Sequence, residues 1–165
     1  MKKVLAVAGL WVVLLCPSSL DAQLALAGQG SWTEDFDFGI GARAIARLPI
    51  DAVPTALVGS FDWFFPDDEI ADDYWEINAN LIATPALEIV SVYFGTGLNI
   101  AHVKAPEVGG GGSTTEVGVN LLGGLMYDAA FFVPYGEVRY EIEGGEQFVV
   151  TVGIALRLVA ATGIR

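Results

Sequence analysis

The sequence predicts an all-β protein, an eight-stranded antiparallel up-and-down transmembrane β-barrel. From residue 36 to residue 158 it repeatedly writes segments in which one alternate set is apolar and the other carries charges, amides and glycines. Residues 135–143 show the pattern best: Gly136, Val138, Tyr140 and Ile142 alternate with Tyr135, Glu137, Arg139, Glu141 and Glu143. Side chains of a strand point to opposite faces with period two, so one face is oily and the other ionic. The chain is 53% apolar and 17% charged, yet no internal run reaches the roughly 18–20 apolar residues of a spanning helix. The oiliness is therefore spread over strands, and with no helical segments to cover the apolar faces, lipid is the predicted cover.

The one continuous apolar run, residues 4–15, follows Lys2 and Lys3 and precedes Pro17, Ser18 and Ser19. A basic start, a short apolar stretch and small residues after it predict an export signal over residues 1–22, cleaved after Ala22 or alternatively after Ala27, and a barrel domain over 23–165. Cys16, the only cysteine, falls inside that leader and follows Leu15 rather than a small residue, so it does not fit a lipid attachment site. Disulfides and cysteine-based metal sites are thereby excluded from the mature chain. Losing Lys2, Lys3 and Asp21 moves the formal charge from −12 to −13. So acidic a chain repels phosphates, which excludes nucleic acid as a partner.

The first predicted strand, 23–30, is weakly marked and runs into a polar connection at 31–35. The second, 36–48, sets Phe38, Ile40, Ala42, Ala44, Ala46 and Leu48 against Gly39, Gly41, Arg43, Ile45 and Arg47. Two prolines at 49 and 54 mark a turn. The third strand, 55–65, alternates Leu57, Gly59, Phe61 and Trp63 with Ser60 and Asp62, and leads into an acidic connection at 66–73. The fourth, 74–84, opposes Trp75, Ile77, Ala79 and Leu81 to Glu76, Asn78 and Asn80. After a turn at Pro85, the fifth, 88–103, opposes Val92, Phe94, Leu98 and Ile100 to Tyr93, Gly95, Gly97 and Asn99. A connection at 104–114 holds four consecutive glycines, a flexible composition. The sixth strand, 115–127, opposes Val117, Val119, Leu121 and Leu125 to Glu116, Gly118, Asn120 and Gly124. A tight turn at 128–130 precedes the seventh, 135–143, and Gly144-Gly145 turns into the eighth, 146–158, where Phe148, Val150, Val152, Ile154, Leu156 and Leu158 face away from Gln147, Thr151, Gly153 and Arg157. From the second strand onward the connections run short, long, short, long, short, as barrel turns and external loops do, with a brief last one. Both termini on one side require an even strand count, which is why the faint first strand is accepted.

An arginine facing lipid at mid-depth costs about 2–4 kcal/mol, whereas opposite charges inside a narrow barrel can pair. The inner face is therefore predicted to hold a charge network of Arg43, Arg47, Asp62, Glu76, Glu116, Glu137, Arg139, Glu141 and Arg157. Eight strands enclose a space only just filled by side chains, so the expected interior is plugged and salt-bridged, with inner glycines making room. Outward aromatics near strand ends, Trp63, Trp75, Tyr127 and Phe132 among them, are expected to form interfacial girdles. A soluble two-sheet sandwich is the competing architecture. It calls for a polar solvent face that the glycine-rich ionic set does not provide.

With its leader and the runs at residues 59–66, 74–80, 97–102 and 134–140, the chain resembles the small outer-membrane β-barrel family of the OmpA type, stand-alone barrels of Gram-negative bacteria. The resemblance spans the mature chain and implies outer-membrane location, with lipid and lipopolysaccharide as partners. It departs in one place: such barrels usually finish on an aromatic residue, and this chain finishes Gly163, Ile164, Arg165.

No catalytic residues are assigned. His102, the only histidine, lies on the outward alternation. Lipid A deacylases of similar size carry a histidine, a serine and an acid on that face, but here the residue two beyond is Lys104 and no outward serine or glutamate accompanies it. Asp67, Asp68, Glu69, Asp72 and Asp73 offer oxygen ligands for a divalent cation without the spacing of a calcium loop, so no metal site is assigned. Gly109 to Gly112 precede no Lys-Ser/Thr, which excludes a phosphate loop. No cofactor is expected. Three functions remain: a structural or surface-interaction protein of the outer membrane, a narrow small-solute channel, or a soluble lipocalin-like ligand-binding barrel. The last requires an apolar interior.

Overall fold

The computed structural model describes residues 24–158 apart from 51, 68–69, 86–88, 107–110, 130 and 144–145. The expected export signal lies outside the described residues. Eight strands follow in order: β1 (Leu24–Thr33), β2 (Asp37–Leu48), β3 (Thr55–Phe64), β4 (Asp73–Ala83), β5 (Val90–Ala105), β6 (Gly112–Tyr127), β7 (Phe132–Ile142) and β8 (Phe148–Leu158). Each pairs antiparallel with the next, and β8 returns to β1 from Leu24↔Leu158 to Thr33↔Val149, closing the barrel. Closure leaves no sheet edge along the paired ring. The end that holds the β1–β2, β3–β4, β5–β6 and β7–β8 connections is called upper below, and the end from which β1 starts and at which β8 finishes, lower.

The alternation decides which face is which. Leu57, Ile77, Leu81, Leu98, Leu121, Val152, Ile154 and Leu156 point outward and are exposed, whereas Asp62, Glu76, Arg139 and Glu141 are 0% exposed within the ring. Outward aromatics gather at both ends. Trp32 packs on Phe38 at 5.0 Å and Phe38 on Phe65 at 6.3 Å near the upper end, while Phe94, Tyr127 and Phe132 ring the lower.

The larger boundary differences from expectation fall in four strands. β1 continues to Thr33 through residues expected to form a connection. Its outward set includes Gly28 and Gly30, which hides the alternation, but Gln29 and Ser31 are buried inward and Trp32 lies outside. Hydrogen bonding also lengthens β5 and β6 toward the glycine run, with Ala105 opposite Gly112, and starts β7 at Phe132. Strand growth into the expected loops flattens the short-long contrast: the upper connections span 34–36, 65–72, 106–111 and 143–147, the lower ones 49–54, 84–89 and 128–131. Asp37, at φ 55°, closes the three-residue β1–β2 turn in the left-handed conformation that follows such loops.

Inner glycines sit where a side chain has no room. A Cβ on Gly41 would strike the Asp62 carboxylate and come within 2.6 Å of the Phe61 carbonyl; on Gly124 and Gly153 it would strike the rings of Tyr93 and Tyr135. Gly28, by contrast, has nothing within 4 Å of that position. Gly41→Val is therefore expected to destabilise the barrel by about 1–3 kcal/mol through overpacking, and Gly28→Ala to be neutral or mildly stabilising, by about 0.5–1 kcal/mol at most. Urea titrations of the refolded variants, followed by tryptophan fluorescence, check both; equal midpoints for the two would refute the packing argument.

Candidate functional site

Inside the ring the described side chains form three levels. The middle one is polar and contains two ion-pair clusters. In the first, Arg43 on β2 grips Glu137 on β7 with both terminal nitrogens, at 2.9 and 2.7 Å. Two parallel charge-assisted bonds fix both orientation and distance. Tyr93 Oη donates to the same carboxylate at 3.0 Å, and the Arg43 guanidinium lies 4.7 Å from the centre of the Tyr135 ring. Tyr135 Oη donates to Gln29 Oε1 at 2.7 Å, and Gln29 Nε2 donates to Asp62 at 2.6 Å. Ser31 Oγ lies 3.1 Å from the same Asp62 oxygen and 3.0 Å from Thr151 Oγ1.

The second cluster centres on Arg139. Its Nη2 donates to Glu76 at 2.5 Å and its Nε to Glu141 at 2.9 Å. Tyr74 Oη donates to Glu76. Gln147 Nε2 reaches Tyr74 Oη at 2.7 Å, Glu76 at 3.0 Å and Glu141 at 3.2 Å. Beside it Asn120 Nδ2 donates to the side-chain oxygens of Asn78 and Asn80 at 2.8 and 3.0 Å.

Apolar levels lie above and below. Phe64, Tyr74, Ala101 and Val149 pack together toward the upper end, with Phe36 stacked on Tyr74 at 3.8 Å. Ala56, Val58, Ile82, Tyr93 and Leu122 pack toward the lower end. The sequence reading missed this layering, because period two assigns a residue to a face but says nothing of which inner residues share a height.

Height also separates the nine residues expected to form one charge network. Arg43, Asp62, Glu76, Glu137, Arg139 and Glu141 are buried in the middle level. Arg47, Arg157 and Glu116 are not part of it. Arg47 and Arg157 line a lower cavity of about 870 Å³, where Arg157 Nη2 meets Asp128 at 2.5 Å. Glu116 lines a smaller upper cavity of about 440 Å³ beside Glu34 and Asp35. All three sit near strand ends, where the ring opens to solvent and a charge needs no partner. Even charge pairing is likewise absent: the buried level holds four carboxylates and two guanidiniums. Neutral donors meet the excess, Gln29 and Ser31 on Asp62, Tyr93 on Glu137, and Tyr74 and Gln147 on Glu76. Gln29, Ser31, Tyr74 and Tyr93 had no assigned role; for Gln29 and Ser31 a polar residue at an inward position beside glycine was the available signal.

Of the acidic connection, Asp68 and Glu69 lie outside the described residues. Asp72 is held by Lys104 at 2.8 Å, the Asp67 carbonyl accepts from Ile70 and Ala71, and among the described residues no three metal-ligating groups converge. His102 lies on the outward face near the upper end, stacked on Trp75 at 5.0 Å. Its Nδ1 is 2.8 Å from Thr115 Oγ1 on β6, a neighbour that only the β5–β6 register reveals.

No protein-family model matches the chain, and no curated protein matches it by sequence. Solved structures do. The attachment invasion locus protein of Yersinia pestis, Ail, superposes with a TM-score of 0.53 at 18% identity, covering 83% of this chain and 97% of that one. The same protein solved in complex with the heparin analogue sucrose octasulfate gives the same values. Neisserial surface protein A, NspA, superposes with a TM-score of 0.52 at 16% identity, covering 83% of this chain and 96% of that one. The likeness is one of fold: this chain has the architecture of the small eight-stranded outer-membrane barrels.

Removing one partner from a buried ion pair leaves an uncompensated charge and typically costs about 3–5 kcal/mol. Arg139→Met is therefore expected to lose that much, and adding Glu76→Gln and Glu141→Gln to recover most of it. Urea midpoints of the single and triple variants measure this, and a triple variant no more stable than the single would show that the carboxylates do not depend on Arg139.

Proposed function

We propose that this chain is an outer-membrane β-barrel protein, exported with the loss of residues 1–22, that has a structural or surface-interaction role and no enzymatic one. The observation that carries the reading is the outer belt: large apolar side chains are exposed all round the ring while its ions are buried inside. Water would be a poor solvent for such a surface, whose extent far exceeds the few hundred Å² that soluble monomers leave bare. Lipid and lipopolysaccharide are the partners that match it. The upper end then faces outward from the cell and the lower end faces the periplasm.

The interior reading is a plug. Two ion-pair clusters and the amide chain cross the space between opposite strands, with apolar levels on either side. A narrow solute channel requires Arg43 to part from Glu137 and Arg139 from Glu76, breaking two ion pairs whose side chains are almost fully buried. A lipocalin-like role is disfavoured by the same ions, since that class lines its interior with apolar side chains.

Surface interaction falls to the upper end. There β6 rises above β7: it pairs with β7 only as far as Val119, so residues 112–117 are bonded to β5 alone, whereas β5 stays paired with β4 up to Lys104. A half-paired strand offers its backbone to an added strand. Glu34, Asp35, Asp37, Asp67, Asp72, Asp73, Glu116, Glu143 and Glu146 surround it, against Lys104. Ail was crystallised with a polysulfated ligand. The acidic rim of this chain repels such a polyanion and favours a neutral or basic partner.

Recovery from outer-membrane vesicles in detergent, with faster gel migration unboiled than boiled, is the expected result. Solubility without detergent would sink the membrane reading. Planar bilayers should show no conductance. Leu98→Arg, in the middle of the belt, should cost the lipid-embedded barrel about 2–4 kcal/mol, read from urea unfolding in liposomes.

A further inference from the structure

We propose that the lower cavity is a binding site for a single-chain amphipathic anion, an alkyl carboxylate of the fatty-acid class. The cavity, about 870 Å³, falls within the usual size of small-molecule sites, roughly 300–1,000 Å³. Its walls are mainly apolar and come from strands all round the ring: Ile45 from β2, Ile82 from β4, Met126 from β6 and Val133 from β7. Above them the hydroxyls of Tyr93 and Tyr135 are turned away, bonded to Glu137 and Gln29, while the Tyr93 ring packs with Ile82 and the Tyr135 ring among Met126 and Val133. The cavity thus leads inward to an apolar roof.

Its rim is basic. Arg157 is engaged by Asp128. Arg47 lines the same cavity and has no ion pair or hydrogen bond among the described residues. A guanidinium is an acceptor-seeking fork, and one at the mouth of an oily cleft matches a carboxylate whose tail enters the cleft. A neutral alcohol of equal length fills the walls but leaves that fork unmatched. A free sugar or a polyphosphate matches the fork but gains nothing from the walls. The site lies inside the ring and rests on the fold, not on which partner the upper end meets.

The test uses the refolded protein in phosphatidylcholine nanodiscs, with isotope-labelled isoleucine and methionine methyl groups followed by NMR. Sodium dodecanoate should produce saturable shifts at Ile45, Ile82 and Met126 and none of comparable size at the outward Ile77 and Ile100. Arg47→Gln, checked for native gel migration, should weaken dodecanoate by at least about tenfold, the loss of one charge-assisted pair, and leave dodecanol binding unchanged. Equal affinity in the variant would overturn the proposal, as would shifts confined to the outward methyls, which mark partition into the bilayer only. So would binding that appears only after deletion of residues 159–165, since the cavity would then belong to the chain's own tail.

Discussion

Ring closure at eight strands sets the terms for every inward side chain. The enclosed space is only about as wide as the side chains that fill it, so each inward charge must find its partners, charged or neutral, within the ring. Arg139 does so by reaching Glu76 and Glu141 at once, and Arg43 by its double grip on Glu137. The remaining lone pairs go to uncharged donors. A half-satisfied buried network is worse than an apolar core, which explains why tyrosines, glutamines and serines crowd around the carboxylates. It also explains the neighbouring glycines: Gly41 leaves room for Asp62, and Gly153 for Tyr135.

The polar level is confined to the middle of the ring, with apolar side chains above and below it. Such caps keep water from competing for the ion pairs and so raise their effective strength. They also divide the molecule by task. The middle is buried and internally bonded; the ends, where Arg47, Arg157, Glu116 and the acidic connections meet solvent, are where the proposed recognition chemistry lies.

Much of the architecture was legible because a barrel strand writes its two environments into alternate positions. Strand number, topology and face were readable from β2 to β8 on that basis. β1 was faint since two outward positions, Gly28 and Gly30, carry no side chain, and its inward Gln29 and Ser31 declare themselves only through Asp62 on β3. The charge network was legible in kind but not in extent. Alternation puts Arg47, Arg157 and Glu116 on the inner side without saying that they sit at the mouths. Register was equally hidden: Thr115 beside His102, or Phe64 beside Tyr74, follows from strand pairing that no local pattern encodes. Loop lengths misled because hydrogen bonding carried strands into polar and glycine-rich segments.

The pairing of Leu24 with Leu158 joins the two ends of the described chain. No other ladder spans so great a separation in sequence, and such long-range contacts form late because the entropy of bringing distant segments together must be met first. Until β8 arrives, β1 is a bare margin, and the oily belt has no continuous cylinder to wrap. A nascent chain of this kind therefore passes through an open, adhesive sheet on its way to the finished barrel. Pairing of a first or last strand with another copy is the wrong outcome that such an opening permits.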